Sequence, residues 1–251
     1  MAKVAGDYHI SPVASKDSDK ITLSIANDTT FPDNVQIAAF TTYTPANSGH
    51  PSFSVTKYVE DAVKETAWGC KTKTLSVSNF ITGQNAEIAF TAEGLDGNTE
   101  LEAPAVTPTY DSAETPVILK ACIYKDGAEI DVNEFTLNIE NTLSFITTTC
   151  EGKKSSRVVS RAVSGTINPY KQDNSIAEFT NFKNNDTFSL FVQCHNPTST
   201  DGEKEEVIGF WLPKCQITEM AEADQEGNLT NAITFQAVGD SDNGEVFITV
   251  I

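Results

Sequence analysis

The chain has 251 residues, 39% of them apolar, and carries 35 acidic against 17 basic side chains for a formal charge of −18. Such a field repels phosphate and anionic lipid, which argues against ordinary nucleic-acid or membrane-surface binding. The charges are scattered and the apolar content is that of a folded protein, so a disordered acidic tail is excluded too.

The opening "MAKVAGDYHISPVASKDSDK" has neither the basic start nor the apolar core of a secretory signal, and nowhere do about 18 apolar residues run together. The expectation is a soluble protein made in the cytoplasm. Short runs rich in Val, Ile, Thr and Phe then recur: "KITLSIAN", "NVQIAAFTTY", "SFSVTKY", "KTLSVSNF", "AEIAFTAEG", "VILKACIYK", "EFTLNIEN", "DTFSLFVQC" and "EVFITVI". These read as strands, and alternation such as Phe135, Leu137 and Ile139 gives each sheet one buried and one polar face.

Two segments suggest helices. In "YVEDAVKETA" Val59 and Val63 share a face and Glu60 and Lys64 form an i,i+4 pair. In "NSIAEFTNFKN" Asn174 or Ser175 would cap, with Ile176 and Phe179 pointing inward. Between them "NTELEAPAVTPTYDSAET" places Pro104 and Pro108 among small and acidic residues, which marks a linker at 98–115. The fold expected is mainly β: two sandwich or partly closed barrel domains, 1–97 and 116–251, each with about one short flanking helix.

A repeat supports that division. "CKTKTLSVSNFITGQNAEIAFTAEG" aligns without a gap on "CQITEMAEADQEGNLTNAITFQAVG", placing Cys70, Ile88, Phe90, Ala92 and Gly94 on Cys215, Ile233, Phe235, Ala237 and Gly239. Each copy reads as strand, polar turn, strand, with Phe90 and Phe235 as equivalent core residues. "TLSIAN" at 22–27 also echoes "TLNIEN" at 136–141, but at an offset of 114 instead of 145.

No catalytic or metal constellation emerges, so the reading is non-enzymatic and without cofactor or metal. Cys194 and His195 are adjacent, and neighbouring strand residues point to opposite faces. "EGKKSSR", 151–157, lacks the spacing of a phosphate loop and reads as an exposed turn. "GDSDNGE", with Asp240, Asp242 and Gly244, reads as a hairpin turn more than a calcium loop. Five scattered cysteines, Cys70, Cys122, Cys150, Cys194 and Cys215, suggest free and mostly buried thiols. "GFWLPKCQI" suggests a strand ending in a sharp turn at Pro213, with Trp211 and Trp68 in the core.

The layout of "LPKCQITEMAEADQEGNLTNAITFQAVGDSDNGEVFITV", preceded by "EFTLNIENTLSFITTTCEGKKSSRVVSRAVSGTINPY" and "AEFTNFKNNDTFSLFVQ", resembles the tail tube, or major tail, proteins of long-tailed bacteriophages. The likeness covers 118–251. Residues 1–97 fit as a shorter second copy that lacks Leu-Pro before its cysteine. The resemblance implies a structural virion protein of the viral tail, made in the host cytoplasm, that polymerises into stacked rings and forms a conduit for DNA ejection. It implies self-association as a homo-oligomer, trimeric with pseudo-sixfold symmetry or else hexameric, with tape-measure and tail-terminator proteins as partners. DNA would pass the lumen without specific binding. Loops "ANDTTFPDN", "TPANSGHPS" and "HNPTSTDGEKEE" are candidates for contacts between rings or for display on the outside, or are ordinary surface loops. The competing reading is a non-enzymatic β-sandwich binding module, a virion decoration or adhesin-like protein.

Overall fold

The computed structural model describes residues 2–4, 7–9, 13–16, 21–23, 41–59, 62–80, 84–102, 120–150, 152–171, 175–196, 206–239 and 244–250. The strands are β1 (Ala2–Val4), β2 (Asp7–His9), β3 (Val13–Lys16), β4 (Ile21–Leu23), β5 (Thr41–Tyr43), β6 (Phe53–Val59), β7 (Val63–Ser78), β8 (Glu87–Glu93) and β9 (Asp96–Leu101). There follow β10 (Lys120–Lys125), β11 (Ala128–Ile130), β12 (Val132–Thr148), β13 (Gly152–Pro169), helix α1 (Ser175–Asn184), β14 (Thr187–Asn196), β15 (Glu206–Gln225), β16 (Asn228–Ala237) and β17 (Phe247–Val250).

Thirteen strands make one antiparallel sheet in the order β11-β10-β14-β15-β16-β13-β12-β7-β6, with β8 and β9 added to β7, β17 to β15, and β5 to β17. Strands from both expected halves share it, through the β7–β12 and β5–β17 ladders. Two turns set its local register. Asp126-Gly127 joins β10 to β11 and Glu226-Gly227 joins β15 to β16, all four with positive φ. That is the two-residue connection whose twist matches the flanking strands, and glycine takes its second position at least cost.

The sheet curls round a single core. Phe135 of β12 and Phe210 of β15 are separated by two strands in the sheet, yet their rings lie 6.2 Å apart, and Phe80 stacks edge-on against both at 5.8 and 5.5 Å. Among the described residues no ladder joins the β11 end to the β6 end, so the sheet is not closed into a barrel.

Several expectations are corrected here. "YVEDAVKETA" is not a helix: Tyr58 and Val59 end β6, Val63 opens β7, and Val59 pairs with Val63 across the turn. Lys64 finds its carboxylates on the neighbouring chain segment, Glu100 at 3.1 Å and Glu102 at 2.6 Å, and so does not need an i,i+4 partner. Accordingly α1 is the one helix among the described residues, and residues 98–101 of the expected linker are strand. Positions 103–119 lie outside the described residues.

Helix α1 forms where the sequence places it but turns the other way. Ile176 is 80% exposed and Phe179 is half in solvent, while Glu178 is buried and Phe182 packs on the core. The cause is electrostatic and local: Lys125 on β10 sits under the helix, its Nζ 3.4 Å from Glu178 and 5.1 Å from the Phe188 ring. A buried ammonium needs that carboxylate, so Glu178 takes the inward position. Asn174 lies outside the described residues.

Pro213 does not end a strand. β15 continues through it, and the register against β14 slips there, from Leu190 opposite Leu212 to Phe188 opposite Cys215. On its other side β15 changes partner at the same place, from β17 at Ile208–Trp211 to β16 from Cys215 onward. A residue without an N–H fits where a ladder is interrupted. Trp211 is half-buried against Phe191, whereas Trp68 is 40% exposed and is not core.

Candidate assembly surfaces

The two aligned segments are both hairpins, β7–β8 and β15–β16, but they are placed differently in the sheet. β16 lies between β13 and β15, and Ile233, Phe235, Ala237 and Cys215 are all in the core, with Phe235 0% exposed. Among the described residues β8 pairs only with β7, and Ile88 is 53% and Phe90 64% exposed, with Ala92 exposed beside them. The expectation that Phe90 is buried like Phe235 is therefore corrected. The alignment is also out of register, since Phe235 faces Ile217 whereas Phe90 faces Leu75, not the aligned Thr72.

Cys70 is buried, and a Cβ at Gly94 would lie 3.1 Å from its Sγ and 3.2 Å from the Trp68 carbonyl oxygen, a tight fit that glycine relieves. Gly239 follows β16 with φ +65. No ladder joins the two hairpins to each other.

The exposed β8 residues are an extension of the core face. Val77 opposite Ile88 is 1% exposed and Leu75 opposite Phe90 packs against the core, and residues directly opposite share a face. Ile88 and Phe90 thus continue an apolar surface past the point where the protein covers it, on a strand whose outer edge is unpaired among the described residues. Edges of this kind are ordinarily covered, charged or used.

Beyond β8 the sheet continues as β6–β7–β9, with Val55, Tyr58, Trp68 and Leu101 all exposed.

Two hairpins project in opposite directions. β13 pairs with β16 so that Val163 faces Ala237 and Ile167 faces Ile233, which sends the β12–β13 turn to one end of the sheet and the β15–β16 turn to the other. Past Glu140 and Val163 the β12–β13 hairpin pairs, among the described residues, only with itself, a two-stranded ribbon roughly 25 Å long at ~3.3 Å per residue.

The ribbon is anchored at its root. Arg161 donates from Nε to Glu245 (3.0 Å), from Nη1 to the Ala46 carbonyl (3.0 Å) and from Nη2 to Asn47 Oδ1 (3.1 Å). Lys71 donates to the His50 carbonyl at 2.6 Å. The loop "TPANSGHPS" is therefore held to the body of the protein at both ends. "ANDTTFPDN" and most of "HNPTSTDGEKEE" lie outside the described residues.

All five cysteines are free thiols, four buried and Cys150 exposed near the ribbon tip, as the sequence suggests. Burial pushes the Cys194 thiol well up, with Cys122 adding, and raises Cys215 to about 12, with Asp126 adding. Thiolate is the reactive form. At pH 8 a disulfide reagent is thus expected to label Cys150 rapidly and the other four only on unfolding. Fast labelling of more than one thiol in the native protein would contradict this packing.

Among the described residues no three His, Cys, Asp or Glu side chains come together as a metal site, and no helix is long and apolar enough to cross a membrane. Cys194 lies in the core of β14, and the side chain of His195 lies outside the described residues, as do Asp240 and Asp242. What the structure offers, among the described residues, is an uncovered apolar edge at β8, a ribbon at β12–β13 and the β15–β16 turn at the opposite end of the sheet. No curated protein matches the chain. The sequence profile of the phage tail tube protein matches residues 11–237, nearly the whole length, and the chain belongs to the phage tail tube protein family.

Proposed function

We propose that the protein polymerises into stacked rings whose shared channel forms the tail tube, through which DNA leaves the capsid. The observation that carries this reading beyond the family is the uncovered apolar edge at Ile88 and Phe90, a surface that a second copy would cover. The acidity of the chain suits the wall of such a channel, because an acidic wall releases no counterions to DNA and does not hold it. Tape-measure and tail-terminator proteins would be its neighbours in the virion tail, and no catalytic step is assigned to it.

The finer arrangement, a tube-type unit in 1–97 joined through 98–115 to another in 116–251, is supported by the strand, turn, strand form of both hairpins. The different registers weigh against it. Two such units per chain would close a ring with three chains and pseudo-sixfold symmetry, whereas one unit requires six. The mass of a single ring decides between them.

A second reading has an observation in its favour: Phe90, Trp68 and Tyr58 are each exposed, and exposed aromatics are what a decoration or adhesin-like module uses. Negative-stain microscopy of the concentrated protein separates the two. Hollow, regularly striated tubes are expected, and particles no larger than a small oligomer at every concentration would favour the binding module.

A further inference from the structure

Strand β7 has different neighbours along its length. Its later part, from Lys71, lies between β12 and β8, and its earlier part, Val63 to Trp68, lies between β6 and β9. The ladders change over at one level. The β7–β9 ladder stops at Trp68 opposite Asp96, the β7–β8 ladder takes up at Lys71 opposite Glu93, and the β6–β7 register shifts between Phe53 opposite Cys70 and Val55 opposite Ala67. On this line stand Gly69, with φ +65, and Gly94 and Leu95, where the chain passes from β8 to β9. A Cβ at Gly69 would lie 2.6 Å from Leu95 Cδ1, so Leu95 rests on bare backbone at the bend, and its N–H donates to the Trp68 carbonyl at 3.0 Å.

Beyond the line the sheet stands clear of the core. No residue of β6, of Val63 to Trp68 or of β9 is buried, and none belongs to the core cluster or packs against it. Residues directly opposite share a face, which puts Val55 and Leu101 on one side and Tyr58 and Trp68 on the other. All four are exposed, so neither side is covered. Within itself this part is continuous, paired without a break from Val55 to Val59 and from Asp96 to Leu101, and Lys64 ties β7 to Glu100 at 3.1 Å and Glu102 at 2.6 Å.

We propose that β6, β9 and the Val63–Trp68 part of β7 form a flap that pivots as one unit on the body of the protein about the line through Gly69, Gly94 and Leu95. A hinge needs a few positions that absorb the backbone change between parts that stay rigid, and the coincident ladder breaks at two glycines supply them. The device makes a contact surface adjustable: the same exposed apolar residues are presented over a range of angles. It is a property of the single chain and does not depend on the tube reading.

The experiment measures distances between spin labels in dilute full-length protein carrying Cys150→Ser, which removes the exposed native thiol. One pair is made by Thr99→Cys on the flap and Lys214→Cys on the body, the other by Lys73→Cys, just on the body side of the line, and Lys214→Cys, all at exposed positions. The Thr99 pair is expected to give a distance distribution about twofold broader than the Lys73 pair. Hydrogen exchange on the same protein is expected to find the amides of the β6–β7 and β7–β9 ladders protected, because a pivoting unit keeps its own hydrogen bonds. Equal widths for the two pairs, whether both narrow or both broad, would overturn the proposal. A broad Thr99 distribution with unprotected ladder amides would overturn it as well, since the strands would then be fraying and not turning together.

Discussion

Replacing Phe235 with Ala is expected to cost roughly 3–5 kcal/mol of unfolding free energy, and replacing Phe90 with Ala to change it by no more than about 0.5 kcal/mol. Both residues sit in an Ile-x-Phe-x-Ala strand. Phe235 is fully buried, and its ring meets Phe188 edge-on at 6.3 Å, so truncation leaves a cavity that two flanking strands prevent from closing. Phe90 loses a ring that is already mostly in water. Urea unfolding of dilute, unassembled protein measures both. The same Phe90→Ala change should weaken assembly while leaving that unfolding unaltered, the combination expected of an apolar residue reserved for a partner.

Gly165→Ala is expected to destabilise by about 1–3 kcal/mol or more, although it adds a single methyl group. Gly165 lies on β13 directly opposite Phe235, and a Cβ there would stand 2.3 Å from the Thr136 carbonyl oxygen and 2.6 Å from the edge of the Phe235 ring. The carbonyl belongs to the adjacent ladder and cannot move without breaking it. Gly209→Ala is the control, because its nearest neighbour, the Phe191 ring, would lie at an ordinary 3.5 Å. Thermal unfolding should show a clear drop for Gly165→Ala and little change for Gly209→Ala. Combining Gly165→Ala with Phe235→Ala should cost less than the sum of the two, since removing the ring relieves one of the two clashes.

The strands were legible from the sequence because alternation reports a one-sided sheet directly: Phe135, Leu137 and Ile139 are buried as their spacing requires. The core status of Phe235 was legible in the same way. That of Phe90 was not, because periodicity specifies a face and not what covers it. Coverage depends on whether a strand has one neighbour or two, which is set by chain segments far away in sequence. Lys64 shows the same limit. Its partners lie 36 and 38 positions away on and after β9, so a local i,i+4 pattern with Glu60 gave the wrong element. In α1 the element was legible but its facing was not, since Lys125 on a distant strand decides that Glu178 turns inward.

The candidate surfaces divide similarly. "EGKKSSR" reads from sequence as an exposed turn; Gly152, Lys153, Lys154 and Arg157 are exposed, but they open strand β13, Ser155 and Ser156 are half-buried, and Glu151 lies outside the described residues. The placement of this segment relative to "TEMAEADQEGN" needs the β13–β16 register, because only that ladder places the two turns at opposite ends.

A cryo-electron microscopy reconstruction of tails isolated from the phage that encodes this chain tests the central claim most directly. The account predicts that the curled sheet of this protein fits the density of the tube wall in every ring, with Ile88 and Phe90 covered by a neighbouring copy. A wall built from a different protein, with this chain found only on the outside of the virion or at the tail tip, would contradict it.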